Sequence, residues 1–255
     1  MQLVLIRHGQ SVNNANYSVH LQATAGGRQQ KQTATQEGAR IAEEVTLYPK
    51  RVPDPVLTDL GSRQAGALAA AQAAGRLPFT PTHLYASPML RAVQTARPLS
   101  AATGLPVLLL PDAHEVGGVQ QVDPITGERT AVPGATLEEL RRHGGDVVPQ
   151  PGVFPAAGRP WHGGFEPELE AALPRARRVL SGLLGTHRHD DVVALVSHQF
   201  FAQFLLAAAL GWDSPPWRRF RVDNTGHVSL RMEHGEAVAE WVNRVDHLAP
   251  ADVSN

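Results

Sequence analysis

The chain has 255 residues, enough for one large domain or two small ones with a sizeable core. A formal net charge of -1, with 42% hydrophobic and 18% charged residues, argues against nucleic acid or an acidic membrane surface as the partner. The absence of cysteine excludes a disulfide frame, a thiolate nucleophile and a thiolate zinc site.

The opening run MQLVLIRHG has no basic leader, so no signal peptide is expected and the chain reads as cytoplasmic. Gln2 to Ile6 is apolar and reads as a buried strand that stops abruptly at Arg7, His8 and Gly9. From about Ala15 to Pro55 periodicity is weak, apart from one candidate helix at Thr35 to Leu47. Thr58 then reads as the N-cap of an alanine-rich helix through about Ala74, with Gly75 just past its end. Leu84 to Ala86 is a second strand, and Ser87 and Pro88 read as N-cap and first residue of a helix ending near Gly104.

Val107 to Leu110 is a third strand. The Gly- and Pro-dense stretch from Pro111 to Pro167 holds one short helix, marked by the capping box from Thr136 to Glu139. A helix from about Glu166 to Leu184 is expected to bend or break at Pro174. Val192 to Val196 is the clearest strand, and Gln199 to Leu210 follows as a helix stopped by Gly211. The window from Val192 to Leu210 is interrupted by Ser197, His198, Gln199 and Gln203, so it is not a membrane span. The tail reads as a hairpin, Val228 to Met232 and Ala237 to Val242, turning at His234 and Gly235.

Strands alternating with helices predict an α/β fold, a three-layer α/β/α sandwich with a mostly parallel sheet and an antiparallel edge strand. Residues 1–255 read as a single domain. Two excursions, about 16–52 and 117–165, are expected to form a cap over one edge of the sheet.

Ligands of such sheets bind beyond the carboxyl ends of the strands. Four polar clusters fall there: Arg7 and His8; Ser87 and Arg91; His114 and Glu115; Ser197, His198 and Gln199. An arginine in the first turn of a helix opposes the helix dipole, which suggests that Arg91 and the helix end hold a shared anion. One histidine among 12 means little; the joint placement of these residues raises the odds of an anion site.

The stretch LIRHGQSVNN, residues 5–14, resembles the signature of the histidine phosphatase superfamily, phosphoglycerate-mutase-like branch. The similarity continues through Asp54, LTDLGSRQA (57–65), YASPMLRAVQTA (85–96), VSHQ (196–199) and VNRVDHL in the tail. The resemblance implies that His8 is a nucleophile forming a phosphohistidine, with Arg7, Asn14, Arg91, His198 and Gln199 binding the phosphoryl group. It further implies Glu115 as proton donor, although Asp112, Asp123 and Glu128 share its loop. No cofactor and no metal are implied.

The expected reaction is hydrolysis of a small-molecule phosphate monoester. A cofactor-dependent phosphoglycerate mutase is the alternative, and a phospho-ligand binding protein without turnover is a third reading. The segment Glu115-Val-Gly-Gly lacks the arginine and tyrosine of the mutase pattern, for which Arg141 and Arg142 are the candidate substitutes. A homodimer is the assembly to test; no nucleic acid or membrane partner is expected. Phe154 and Trp161 are candidates to touch the leaving group, and His162, His187 and His189 read as surface residues without metal-ligand spacing.

Overall fold

A computed structural model describes residues 1–24, 51–123, 125–150, 154, 158–213, 220–233 and 235–255. The strands are β1 (Gln2–Arg7), β2 (His83–Ala86), β3 (Val107–Leu109), β4 (Gln120–Val122), β5 (Arg129–Ala131), β6 (Val147–Val148), β7 (Val192–Ser197), β8 (His227–Glu233) and β9 (Glu236–Arg244). The helices are α1 (Val12–Thr24), α2 (Asp59–Ala73), α3 (Leu90–Thr103), α4 (Leu137–Gly144), α5 (Ala172–Thr186) and α6 (Gln199–Ala209).

Seven strands form one sheet in the order β6-β3-β2-β7-β1-β8-β9. The five from β6 to β1 run parallel, β8 is antiparallel to β1, and β9 returns along β8 at the edge. Alternation along the central strands explains the layers. Leu3, Leu5, Val193 and Leu195 pack on one face with α5 and α6. Val4, Ile6, Ala194 and Val196 pack on the other with α2, α3 and Leu140 of α4. The expected three-layer α/β/α sandwich is the fold.

Several local readings hold. Thr58 accepts a hydrogen bond from the Gly61 amide as N-cap of α2, and Thr136 and Glu139 form a reciprocal capping box on α4. Others need correction. Pro174 does not break a helix; it lies in the first turn of α5, where no intrahelical amide bond is lost. Helix α3 starts at Leu90 rather than at Pro88, because its first amide is capped from elsewhere: Asp54 accepts from Leu90 N at 3.1 and 3.3 Å.

Val12 to Thr24 is helical where only an irregular excursion was expected. The candidate helix at Thr35 to Leu47 lies outside the described residues. The excursion at 117–165 has, in its described residues, secondary structure of its own. It carries the small β4–β5 hairpin, and immediately before α4 it crosses residues 160–161. After α4 it has already supplied β6, which pairs with β3 at the sheet edge. Among the described residues no helix is long and apolar enough to cross a membrane.

Candidate active site

The parallel strands deliver polar residues to one rim, as their carboxyl ends must. His8 follows β1 and is 3% exposed. Its main chain is clamped from three sides. His8 N donates to Ser197 O at 3.0 Å, and Asn224 Nδ2 donates to His8 O at 3.1 Å. The next residue, Gly9, donates through its amide to Thr95 Oγ1 at 3.0 Å. A Cβ on Gly9 would stand 2.6 Å from the Gly61 carbonyl oxygen, so only glycine allows α2 to approach so closely.

The ring of His8 has a determined tautomer. Arg91 Nε lies 3.1 Å from His8 Nε2, and a guanidinium can only donate. Nε2 therefore carries the lone pair, and the proton sits on Nδ1, which donates to the Gly9 carbonyl at 2.7 Å. Burial first, and then the Arg91 and Arg7 guanidiniums, push the pKa of His8 well below the usual imidazole value. His8 is a neutral base with Nε2 directed at a cation.

Arg7, 5% exposed, is anchored by Nη1 donating to Val222 O at 2.8 Å and to Asn255 Oδ1 at 2.5 Å. Arg91 sits in the first turn of α3, as expected, with Nη1 3.7 Å from the Asp54 carboxylate. Burial lifts the Asp54 carboxyl to about 6, against the opposing pull of Arg91 and the Leu90 amide.

His198 is fully buried at the end of β7, its ring centroid 5.2 Å from that of His8. Nε2 shares a hydrogen bond with Ser87 Oγ at 2.8 Å. Its buried Nδ1 has no hydrogen-bond partner among the described residues, an uncommon state for a native polar atom. Burial, then Arg91 and His8, hold its pKa well below the ordinary value.

Three expected contacts take another form. Glu115 lies on the amino end of α6, accepting from Phe201 N at 2.9 Å and Phe200 N at 3.3 Å, as well as from Val116 N. His198 is the N-cap of α6 but its side chain makes no cap bond, so the Glu115 carboxylate supplies the cap and complements the helix dipole. The Phe200 and Phe201 amides at the start of α6 are thereby engaged. Gln199 turns away, its Nε2 donating to Phe220 O at 3.2 Å. Asn14 accepts through Oδ1 from Ser11 N and Oγ at 3.0 and 2.9 Å, which leaves its N–H donors as the groups with which it can meet an anion.

Three residues at the rim had no expected role, Asn224, Thr225 and Arg175, and a fourth, Ser87, was expected as an N-cap. Ser87 orients His198, and Asn224 holds the His8 carbonyl. Thr225, at φ 57°, occupies a left-handed conformation costly for a β-branched residue and donates its amide to Arg7 O at 3.0 Å. Arg175, 2% exposed, ties Asp112 O and His114 O at 2.6 and 2.9 Å to the Glu166 carboxylate, holding the loop that carries Glu115. A signal for Asn224 and Thr225 existed: a strand antiparallel to β1 begins at the rim where β1 ends.

Trp161 is not placed to meet a leaving group from solvent. It is 2% exposed and packed with Met89 and Val119. Arg141 and Arg142 lie exposed on α4.

Residues 3–245 match the family model "Histidine phosphatase superfamily (branch 1)". The chain belongs to that superfamily. Among solved structures it is similar to phosphoserine phosphatase from Entamoeba histolytica, at 21% identity, 97% of this chain and 99% of that one, with a TM-score of 0.55. It is also similar to the alpha-ribazole phosphatase of Shigella flexneri, at 21% identity and 96% and 97% coverage, with a TM-score of 0.58. Mycobacterial glucosyl-3-phosphoglycerate phosphatase matches at 22% identity and 95% and 98% coverage, with a TM-score of 0.54. At such identities the likeness establishes the fold. No curated protein matches the chain.

Proposed function

We propose that this member of the superfamily is a metal-independent phosphomonoesterase that hydrolyses a small phosphorylated metabolite through a phosphohistidine on His8. The observation that carries the reading is the fixed tautomer of a buried neutral imidazole, with Nε2 facing Arg91 and Nδ1 held by the Gly9 carbonyl. A phosphoryl group entering between Nε2 and Arg91 takes over the guanidinium as donor and releases the lone pair for attack.

Arg7, Arg91 and the Asn14 amide bind the non-bridging oxygens, and the buried Nδ1 of His198 gains an oxygen as its partner when it carries the proton. The Nε2–P bond forms as the P–O bond to the leaving group breaks, and the carboxyl of Glu115 protonates the departing alkoxide. Water then gives a proton to the Glu115 carboxylate and attacks phosphorus. The P–N bond breaks, and inorganic phosphate leaves with His8 neutral again. For this role Glu115 must leave the α6 amides and take up a proton when substrate binds.

Fold neighbours that act on phosphoserine, alpha-ribazole phosphate and glucosyl-3-phosphoglycerate support a small phosphorylated metabolite as substrate class. The exposed position of Arg141 and Arg142 speaks against a carboxylate grip of the mutase kind. The test is p-nitrophenyl phosphate hydrolysis by the wild type and His8→Ala, with an alkaline quench to trap an alkali-stable, acid-labile phosphoenzyme. Turnover and the adduct are expected only in the wild type; equal rates in both proteins would remove His8. Turnover of 3-phosphoglycerate with bisphosphoglycerate to 2-phosphoglycerate would replace hydrolysis by the mutase reading.

A further inference from the structure

We propose that His83, His187 and Asp191 form a binding site for a divalent first-row transition-metal ion at the foot of the sheet, remote from His8. One ligand atom from each of the three lies within 4.8 Å of the others, and among the described residues no other group of three or more His, Asp or Glu side chains does so. His187 Nδ1 is 3.6 Å from Asp191 Oδ2, and His83 Nδ1 is 3.9 Å from Asp191 Oδ1. Tetrahedral coordination at zinc bond lengths places neighbouring ligand atoms about 3.4 Å apart, so the ligand atoms, now within 4.8 Å of one another, close by about 1 Å or less through side-chain rotation.

The supporting contacts are those a metal site needs. Tyr85 Oη lies 3.0 Å from His187 Nε2; accepting the Nε2 proton, it leaves the Nδ1 lone pair facing Asp191. Arg188 N donates to Asp191 Oδ2 at 2.8 Å, which fixes the carboxylate on the connection between α5 and β7. Thr82 Oγ1 stands 2.9 Å from His83 Nδ1 and can instead donate to Val192 O at 3.2 Å once that nitrogen holds a metal. His187 is not the surface residue its sequence context suggested: its side chain is 3% exposed, while His189 is 96% exposed as expected.

Two imidazoles and one carboxylate select zinc-like ions over magnesium or calcium, which favour all-oxygen shells. His83 and Asp191 are 37% and 18% exposed, so one side of the cluster opens to solvent and a water can complete a fourth position. The residues belong to the amino ends of β2 and β7, whereas His8 and His198 follow the carboxyl ends of β1 and β7. The six-residue β7 separates the two ends by about 16 Å. An ion here would pin the α5–β7 connection to β2 and touch no reacting atom.

The test is calorimetric titration with Zn²⁺ in a non-chelating buffer, read beside the melting temperature. One ion per chain is expected in the wild type and in His8→Ala, with a raised melting temperature. His83→Ala and Asp191→Asn should each weaken binding by about tenfold or more and abolish the thermal shift. His83 is half-exposed, so its variant should fold; circular dichroism checks this, and Asp191→Asn keeps an acceptor for Arg188. The proposal is overturned by no saturable binding, by binding that survives both substitutions, or by binding lost in His8→Ala.

Discussion

The two ends of the same parallel strands each carry a pair of histidines, and the company of each pair determines what it can hold. At the rim, the His8 and His198 rings lie 5.2 Å apart and the nearest charges on His8 are Arg91 and Arg7. At the foot, the His83 and His187 rings lie 4.3 Å apart and the nearest charge is the Asp191 carboxylate. A neutral imidazole among guanidiniums is suited to attack an anion's phosphorus, and two imidazoles beside a carboxylate are suited to hold a cation, which are the two roles proposed above. Residue type alone does not distinguish them.

The sharpest way to break this contrast is His8→Ala. It should lower kcat for p-nitrophenyl phosphate on the order of 10⁴-fold or more, because the substitution removes the nucleophile and leaves the anion grip. Phosphate should still bind as a competitive ligand. A variant that loses phosphate binding as well would mean that His8 builds the pocket rather than reacting in it.

Arg91→Ala comes next. Removing one preorganised donor to developing charge should cost about 10²- to 10³-fold in kcat/KM. Arg91 also donates to His8 Nε2, so the pKa of the His8 ring should rise in this variant, because one of the two cations that depress it is gone. Titration of the ring by NMR checks the direction.

Glu115→Gln separates two roles for a carboxylate that caps α6. In kcat/KM, which reports phosphorylation of His8 and not the shared hydrolysis of the adduct, proton donation should matter for an alkyl phosphate, whose leaving alkoxide is strongly basic, with a loss of about 10²-fold. For p-nitrophenyl phosphate, which leaves as a stabilised phenolate, the loss should be only a few-fold. Equal losses on both substrates would reduce Glu115 to a cap for the amides of Phe200 and Phe201.

These outcomes bear on what was legible in the sequence. Features written in a few consecutive residues were readable: the apolar runs of β1 and β7, the cap at Thr58, the box from Thr136 to Glu139. Features completed from a distance were not. Ser87 looked like an N-cap, yet the cap of α3 comes from Asp54, on a loop 36 residues earlier, which frees the Ser87 hydroxyl for His198. His187 looked isolated because its partner His83 is 104 positions away, on a strand that only the sheet order makes a neighbour. The rim residues His8, Arg91 and His198 were expected together because parallel topology gathers strand ends. The contacts of Glu115 with the helix amides were not expected, because they depend on where its loop meets α6.

Asp54→Asn should have a smaller effect than the three above. The amide keeps an acceptor for Leu90 N but removes the charge 3.7 Å from Arg91 Nη1. We expect kcat/KM at pH 7.5 to fall about tenfold through misplacement of the guanidinium. Because the Asp54 carboxyl is pushed up to about 6, the wild type loses the same charge as pH drops through that value. The ratio of wild type to variant should therefore approach one below pH 6. A ratio independent of pH would assign Asp54 to helix capping alone.

The gentlest test of the rim concerns stability. Burial lowers His114 to about 3, His227 to about 3 and His247 to about 4, from the ordinary 6.5. An unfolded chain accepts protons at these positions near pH 6.5 and the folded one does not, so their stabilisation is full above 6.5 and drains away as pH falls toward 4. Asp54 acts in the opposite sense between 3.8 and about 6, since its folded carboxyl is the easier one to protonate. His8, His187 and His198 are depressed in the same sense, so six histidines against one carboxyl leave a net loss of stability on acidification. Each fully titrating histidine contributes roughly 1 kcal/mol per pH unit. Urea melts from pH 7 to pH 5 should show this loss, and His114→Gln should flatten the slope by one such share. An unchanged slope would mean that the ring of His114, close against Trp161 and Gly164, takes up a proton in the folded protein, and that the rim is less dry than its arginines require.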